Sequence, residues 1–418
     1  RGFARPGDYN TRFLLLLDGH RINDNVYNQG TIGTEFILDV DLIERVEVIR
    51  GPSSSLYGSN AFFGVINVIT RKGRSLGGFE TSAEAASFET YKGRLSYGNQ
   101  FSDNDEALLS GSLYTSKGQD LYFREFDDPS TNNGIAQNRN YDRFRSLLST
   151  LSLNNFTLQG AYSYRKKGVP TASFSTIFNH PGEYTVDERL YLDLKFEKRL
   201  ENELDVMARL FYDQYTYWGD YPLSTALNKD FAWGRWWGTE LQVTKKLFNT
   251  HRLTLGTEYD RNIRQDQRNY DEDPYTFRLD DKRESDILAF YGQDEFHVLS
   301  NLLLNIGLRY DRYETIGGTT NPRIGLIYTP AEKTALKFLY GRAFRAPNNY
   351  ELYYGDGSSQ KANPNLKPEI ITTYEMIWEQ YVGDKTLASL SGFYYKIKDL
   401  ITLRTDPADG LLVYQNTS

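Results

Sequence analysis

Apolar and polar residues alternate singly along most of the chain, in stretches of roughly ten residues. Between 302 and 314, Leu302, Leu304, Ile306, Leu308 and Tyr310 share one face, while Asn305, Gly307, Arg309 and Asp311 share the other. From 189 to 200, Leu190, Leu192, Leu194 and Phe196 oppose Tyr191, Asp193, Lys195 and Glu197. A period of two predicts β-strands, because successive side chains of a strand point to opposite faces. Rows of Leu, Phe and Tyr backed by charged rows are what lipid outside and a polar lumen inside demand of a membrane barrel.

The connections between these stretches alternate in length. A long polar segment at 118–142 is followed by a short one at 154–155, and then come long 168–187, short 201–203, long 219–233 and a short turn near 249. The series continues with 266–284, 300–301, a shorter loop at 317–318, 331–333, 346–368 and 383–385. Loops at one end and turns at the other are expected of a barrel whose two ends face different compartments. About fifteen strands are predicted, against about 22 in plugged outer-membrane transporters.

The N-terminal part reads differently. The stretch 42–73, LIERVEVIRGPSSSLYGSNAFFGVINVITRKG, predicts strand, compact loop, strand. Val46 and Val48 alternate with Glu47, as in a half-buried strand. Arg50-Gly51-Pro52 ends it, since Pro cannot donate to a ladder and Gly permits a sharp turn. Upstream, LLLLDGHRIND at 14–24 predicts a strand ending in an Asp18-Gly19 turn.

Composition narrows the class. The 418 residues include 32 Tyr and 24 Phe, yet only 39% are hydrophobic. No run approaches the ~20 apolar residues of a membrane helix, which a barrel does not need. The absence of Cys fits an exported protein. A net charge of -7 without a basic run argues against a nucleic-acid partner.

The string from the first strand through Arg50-Gly51-Pro52 and Leu56-Tyr57-Gly58 to GVINVIT resembles the second half of the plug domain of TonB-dependent outer-membrane receptors. The stretch at 14–24 is similar to a plug strand of the same family. Asn321-Pro322-Arg323-Ile324-Gly325, and the run from Tyr340 through Arg345-Ala346-Pro347 to Asn363-Pro364-Asn365-Leu366-Lys367-Pro368-Glu369, resemble its barrel. The implied fold is an all-β transmembrane barrel with a small α+β plug in its lumen, residues 1–75 supplying the C-terminal part of the plug and 76–418 the N-terminal and central barrel strands. Members of this family begin with a periplasmic TonB box and a first plug half and end in a terminal aromatic strand. None of these is present, so a fragment truncated at both ends is expected.

The resemblance marks Asp18, Gly19, Arg50, Gly51, Pro52, Tyr57 and Gly58 as plug-motif residues. It also implies that Arg50 meets acidic residues of the wall. Alternation puts Glu240, Glu258, Glu295, Glu375 and Glu379 on lumen faces, and the choice among them stays open. The aromatic cluster around 212–237 reads mainly as a girdle at the membrane interface. Tyr217, Trp218 and Tyr221, nearest the loop tip, are the candidates for stacking on a ligand. Asp271, Glu272 and Asp273 form an oxygen cluster that could hold Ca²⁺, but they lack the spacing of a Ca²⁺ loop, and solvated charge is the plainer reading. His20, His180, His251 and His297 lie in no metal-ligand spacing, and no catalytic constellation can be drawn. Neither a resident metal nor an enzymatic activity is therefore expected.

The resemblance implies a receptor that takes up a large, scarce solute, foremost a ferric siderophore, with cobalamin, haem or oligosaccharide as alternatives. Its implied partners are the TonB energising complex of the inner membrane, the extracellular solute and outer-membrane lipid. The plug stretch argues against a passive porin, the missing catalytic groups against an outer-membrane lipase, and the Leu and Phe rows against a soluble all-β binding protein.

Overall fold

The computed structural model describes residues 8–417. The first seven positions, which the sequence assigns to the plug, and Ser418 lie outside the described residues.

The N-terminal part folds as a four-stranded sheet in the order β2 (His20–Arg21), β1 (Phe13–Leu17), β4 (Gly64–Thr70), β3 (Ile43–Arg50). Strands β1 and β4 run parallel, and β3 lies antiparallel to β4. Asp18 and Gly19 both take positive φ, the two-residue turn that lets β1 hairpin onto β2. Two short helical turns, α1 (Ser54–Tyr57) and α2 (Gly73–Leu76), flank β4, and α2 leads through Gly77 into the first wall strand, β5 (Gly78–Ala86).

The wall is a 16-stranded antiparallel sheet. Fifteen strands follow one another as a meander from β5 to Thr386–Lys398, and Thr276–Asp281 adds to one arm of it. Its inner face wraps the plug. Leu15, Leu17, Ile22, Ile37, Leu42 and Val68 of the plug share one apolar cluster with Leu108, Leu148, Ala161 and Tyr191 of the wall. On the opposite side Phe62 and Phe63 pack against Ala343 and Ile371. Ile66 packs into the first cluster, whereas on the edge strand β3 Val46 and Val48 are 50% and 60% exposed and Glu47 between them is exposed as well, so neither face of its middle is covered.

The cross-strand register bears out the alternation. Arg309 and Asp311 face the lumen, while Ile306 and Leu308 are about half exposed on the outer face. The long connections 117–141, 169–183 and 346–368 fall at one end, and 101–104, 154–155, 201–203, 300–301 and 383–385 at the other.

Three segments expected as loops are strand in whole or in part, the shortest being 317–318, which opens the strand Gly317–Ala331. Leu204–Pro222 and Leu227–Leu247 run on until only 223–226 connects them, so most of 219–233 is ladder. His251–Asp271 likewise extends into the expected loop 266–284, and Thr276–Asp281 folds back onto it, leaving 272–275 and 282–284 as connection. A strand that rises above the lipid no longer needs an apolar outer row, so its polar sequence resembles a loop. The last stretch, expected to end in polar sequence, forms a strand, Leu412–Thr417, paired with Leu400–Thr405.

Candidate functional site

At the long-loop end the apex of the plug is an eight-membered segment, 22–29, folded around one carboxylate. Asp24 accepts from the backbone N–H of Val26, Tyr27 and Gln29 at 2.8, 2.6 and 2.8 Å. Burial raises the Asp24 pKa above the usual carboxylate range, and those three hydrogen bonds oppose the shift. The segment is stitched to its surroundings. Gln265 donates to the Asn25 carbonyl at 2.6 Å, Asn25 donates to Asn262 at 2.9 Å, and Asn348 donates to the Tyr27 carbonyl at 2.7 Å.

This leaves the Tyr27 ring at the centre of an aromatic floor. Tyr215, Tyr217 and Tyr350 lie around it, at centroid distances of 6.2, 6.1 and 5.6 Å. Tyr350 belongs to α3 (Asn349–Tyr353) in the long connection, a helix held at its start by a capping box between Asn348 and Glu351. Tyr354 packs on Tyr350 at 4.5 Å, and the Tyr217 and Tyr221 hydroxyls are hydrogen-bonded to each other. Asp230, held by Asn269 at 3.0 Å, supplies a carboxylate at the same level.

Of the expected ligand residues, Tyr217 and Tyr221 therefore join the site. Trp218 does not: adjacent strand residues face opposite ways, and its ring lies near Tyr164 at 6.0 Å on the outer face. Tyr27, Tyr350 and Tyr354 also belong to the site, although strand alternation does not single them out. The Asn348-x-x-Glu351 pattern inside the long polar segment signals a capped helix and would have marked the last two.

Below the floor, charged groups tie plug to wall. Arg12 donates to Glu369 through Nε at 2.9 Å and Nη2 at 2.6 Å, and its other nitrogen pairs with Asp8. Glu369 also accepts from Arg345 at 2.8 Å, and Arg345 grips Glu351 of α3 at 2.9 and 3.0 Å. A buried chain of charges thus runs from the plug through the wall to the outer helix. On the far side His20 spans two wall carboxylates, Asp193 at 2.8 Å and Asp213 at 3.2 Å, and stacks on Tyr191 at 4.2 Å. Burial disfavours its charged form, but Asp213 and the hydrogen bonds to both carboxylates outweigh that and raise its pKa. Asp18 of the hairpin turn accepts from Thr70 within the plug and from Gln159 of the wall at 2.7 Å.

The expected role of Arg50 needs correction. It is exposed at the end of the edge strand β3, and among the described residues it makes no ion pair or side-chain hydrogen bond. Arg12, beside β1, does reach a wall glutamate, and at the end of the plug Arg71 and Arg74 pair with Glu80 and Glu106 of the wall. The nominated glutamates face the lumen but serve wall partners. Arg309 holds Glu258 at 2.6 Å, Lys337 holds Glu379 at 2.7 Å, Tyr291 donates to Glu240, and Gln293 to Glu295. Glu375 is buried. The remaining motif residues form tight turns. Gly51 and Gly58 take positive φ, and a Cβ on Gly58 would come within 2.9 Å of Arg309, which itself donates to the Leu56 carbonyl. Pro52 lies against Gly341 of the wall, and the Tyr57 carbonyl accepts from Arg21 at 2.7 Å.

Among the described residues no three His, Asp or Glu groups are arranged to hold a metal ion. Asp271 is engaged by Arg278 at 2.6 Å and Glu272 by Lys229 at 3.3 Å.

A family model described as the TonB-dependent receptor plug domain matches residues 1–65, and one described as the TonB dependent receptor-like β-barrel matches 74–418. The chain is 25% identical to a ferric enterobactin receptor of Pseudomonas aeruginosa over 95% of its own length and 61% of the relative's. It is 27% identical to a vitamin B12 transporter of Vibrio vulnificus, over 91% of the chain and 58% of the relative. It therefore spans about three fifths of the length of these relatives. Its fold matches a crystal structure of a variant ferric enterobactin receptor from Pseudomonas aeruginosa, with TM-score 0.74 at 19% identity, covering 97% of this chain and 68% of that one. It also matches the siderophore receptor PirA of Acinetobacter baumannii, with TM-score 0.71 at 20% identity and the same coverage.

Proposed function

Because the chain belongs to the TonB-dependent receptors, outer-membrane proteins of bacteria, we propose that it binds a ferric siderophore from outside and passes it to the periplasm, with energy delivered by the TonB complex. In this reading residues up to about 75 are plug and those from about 76 on are barrel.

The observation that carries the proposal is the tyrosine floor centred on Tyr27. It offers flat apolar faces with hydroxyl tips to a solute entering between the long loops, a chemistry suited to a bulky chelate. Its central ring belongs to the plug and its rim to the wall and α3, so a solute resting there touches both bodies. Contacts made on Tyr27 reach β1 and β2 through Asp24 and Asn23, whose amide oxygen accepts from the Leu15 backbone at 2.9 Å. Binding outside can in this way bias how the plug sits, the coupling between two sites that energised release requires.

Tryptophan fluorescence titrated with ferric siderophores and with cyanocobalamin tests the assignment. Saturable quenching by a ferric chelate, abolished in Tyr27→Ala, is the expected result. Saturation by cyanocobalamin alone would replace the siderophore with the vitamin.

A further inference from the structure

The tyrosine floor carries charge, and its sign restricts what can rest there. Asp230, on the strand Leu227–Leu247, lies opposite Gly219 in the ladder. Its side chain therefore shares the lumen face with Tyr217 and Tyr221, which flank that glycine two positions to either side. On its other flank Asp230 lies opposite Asn269, whose amide donates to the Asp230 carboxylate at 3.0 Å and to the Tyr354 hydroxyl at 3.1 Å. One amide thus holds the carboxylate against the tyrosines at the end of α3.

No cation answers this carboxylate. Among the described residues Asp230 forms no ion pair. Lys229, next to it, turns to the outer face and pairs with Asp220 and Glu272. Arg278 is taken by Asp271 at 2.6 Å and by the Ser358 hydroxyl at 2.9 Å. Arg165 lies between Glu35 and Asp142, and Lys167 is bound to Asn140 at 2.6 Å. Asp187, opposite Tyr217, is a second carboxylate without an ion pair among the described residues and accepts from the Tyr215 hydroxyl at 3.1 Å.

This part of the strand rises above the lipid, and there burial, reinforced by Asp356, raises the Asp230 pKa to about 7. A cation arriving with the solute would stabilise the ionised carboxylate that burial disfavours. The tyrosines act in the same sense, because the negative face of an aromatic ring attracts an ammonium group. A multiply anionic chelate meets the reverse: carboxylates, with no free cation to offset its own charge. Like charges brought together in a confined site exclude a partner.

We propose that the floor selects a ferric chelate bearing a free ammonium group, which docks on Asp230 among the faces of Tyr27, Tyr217 and Tyr350. This rests on the siderophore reading and narrows it to chelates whose iron centre carries no net negative charge, such as tris-hydroxamates, rather than tris-catecholates.

The test uses one chelating scaffold with three end groups, so that only charge changes. Ferrioxamine B ends in an ammonium, its N-acetyl derivative in a neutral amide, and its N-succinyl derivative in a carboxylate. Titrated into the full-length receptor by tryptophan quenching, the ammonium form should bind about tenfold tighter than the acetyl form, and the succinyl form should bind weakest. Asp230→Asn should weaken the ammonium form about tenfold and leave the acetyl form within about twofold, and Asp230→Glu should recover part of the loss. Asp384→Asn, which removes the same charge from a short turn at the opposite end, should change none of them. Heat-dependent mobility on gels reports that each variant is folded. Equal affinity for the three end groups, or an equal loss for all three in Asp230→Asn, would overturn the proposal. So would tight binding of a ferric tris-catecholate with no binding of any ferrioxamine, a result that leaves the siderophore reading standing. No binding of any ferric chelate removes that reading itself, and the proposal with it.

Discussion

Arg12 and Glu369 stand 357 positions apart in the chain and meet through two parallel N–H···O bonds of 2.9 and 2.6 Å, both side chains buried. The pair fastens plug to wall, and Arg345 extends it to α3 beneath the tyrosine floor.

Removing Arg12 leaves Glu369 held by Arg345 alone and takes from Asp8 its arginine partner, a loss below the ~3–5 kcal/mol of a fully uncompensated buried charge. Arg12→Ala should therefore loosen the plug in the full-length receptor, with faster hydrogen exchange in β1 and greater leak of a large antibiotic. Arg12→Lys should fall between, since an ammonium cannot reproduce the two-pronged contact. Arg50→Ala should behave as wild type, because Arg50 has no such partner among the described residues. Equal loosening by both alanine variants would refute the assignment.

The second anchor should depend on pH. His20 faces Asp193, Asp213, Arg189 and Arg209 of the wall, with Tyr191 and Phe211 against its ring. Its pKa is raised in the folded protein, so its contribution is fully present below the ordinary value of about 6.5 and fades as pH rises through the folded-state value. Plug exchange protection should fall between pH 6 and pH 9 in the wild type. In His20→Gln this loss should be smaller, with protection already reduced at pH 6. Identical pH profiles would remove His20 from the anchoring.

Much of this was legible in the chain and some was not, for separable reasons. The alternation placed Glu240 and Glu258 in the lumen because lipid enforces an apolar outer row wherever a strand crosses it. Above the membrane that constraint lapses, so the ladder between Tyr217 and Phe231 looked like loop. The outward position of Trp218 is legible in the sequence, since period two keeps it off the face that Tyr217 occupies. The exchange of Arg50 for Arg12 is not. Both arginines flank plug strands, and only the sheet order, which puts β3 at an edge, decides which one meets the wall.

Sidedness follows from the meander, which puts every long connection at one end. The chain has no Cys, so single cysteines report cleanly. Ser130→Cys and Thr171→Cys, both in long connections, should react with an impermeant maleimide on intact cells. Asn155→Cys and Ser300→Cys, in short turns, should react only after permeabilisation. The reverse pattern would invert the barrel and with it the position of the tyrosine floor.

The floor makes the sharpest contrast, because Tyr217 and Trp218 are neighbours in sequence on opposite faces of one strand. Tyr217 touches Tyr27 and hydrogen-bonds Tyr221, so a solute lying on the floor rests on its ring. Losing one stacking ring costs about 0.5–1.5 kcal/mol beyond the buried area, and a tenfold change in affinity is about 1.4 kcal/mol. Tyr217→Ala should therefore weaken solute binding roughly tenfold. Tyr350→Ala should do the same from the α3 side, without touching the strand. Trp218→Ala removes a larger ring yet should leave the dissociation constant within about twofold, since its contact is with Tyr164 outside the lumen. Titrations of the three variants with one ferric chelate decide the matter. A loss of affinity in Trp218→Ala matching that in Tyr217→Ala would mean that the solute binds on loops beyond the floor.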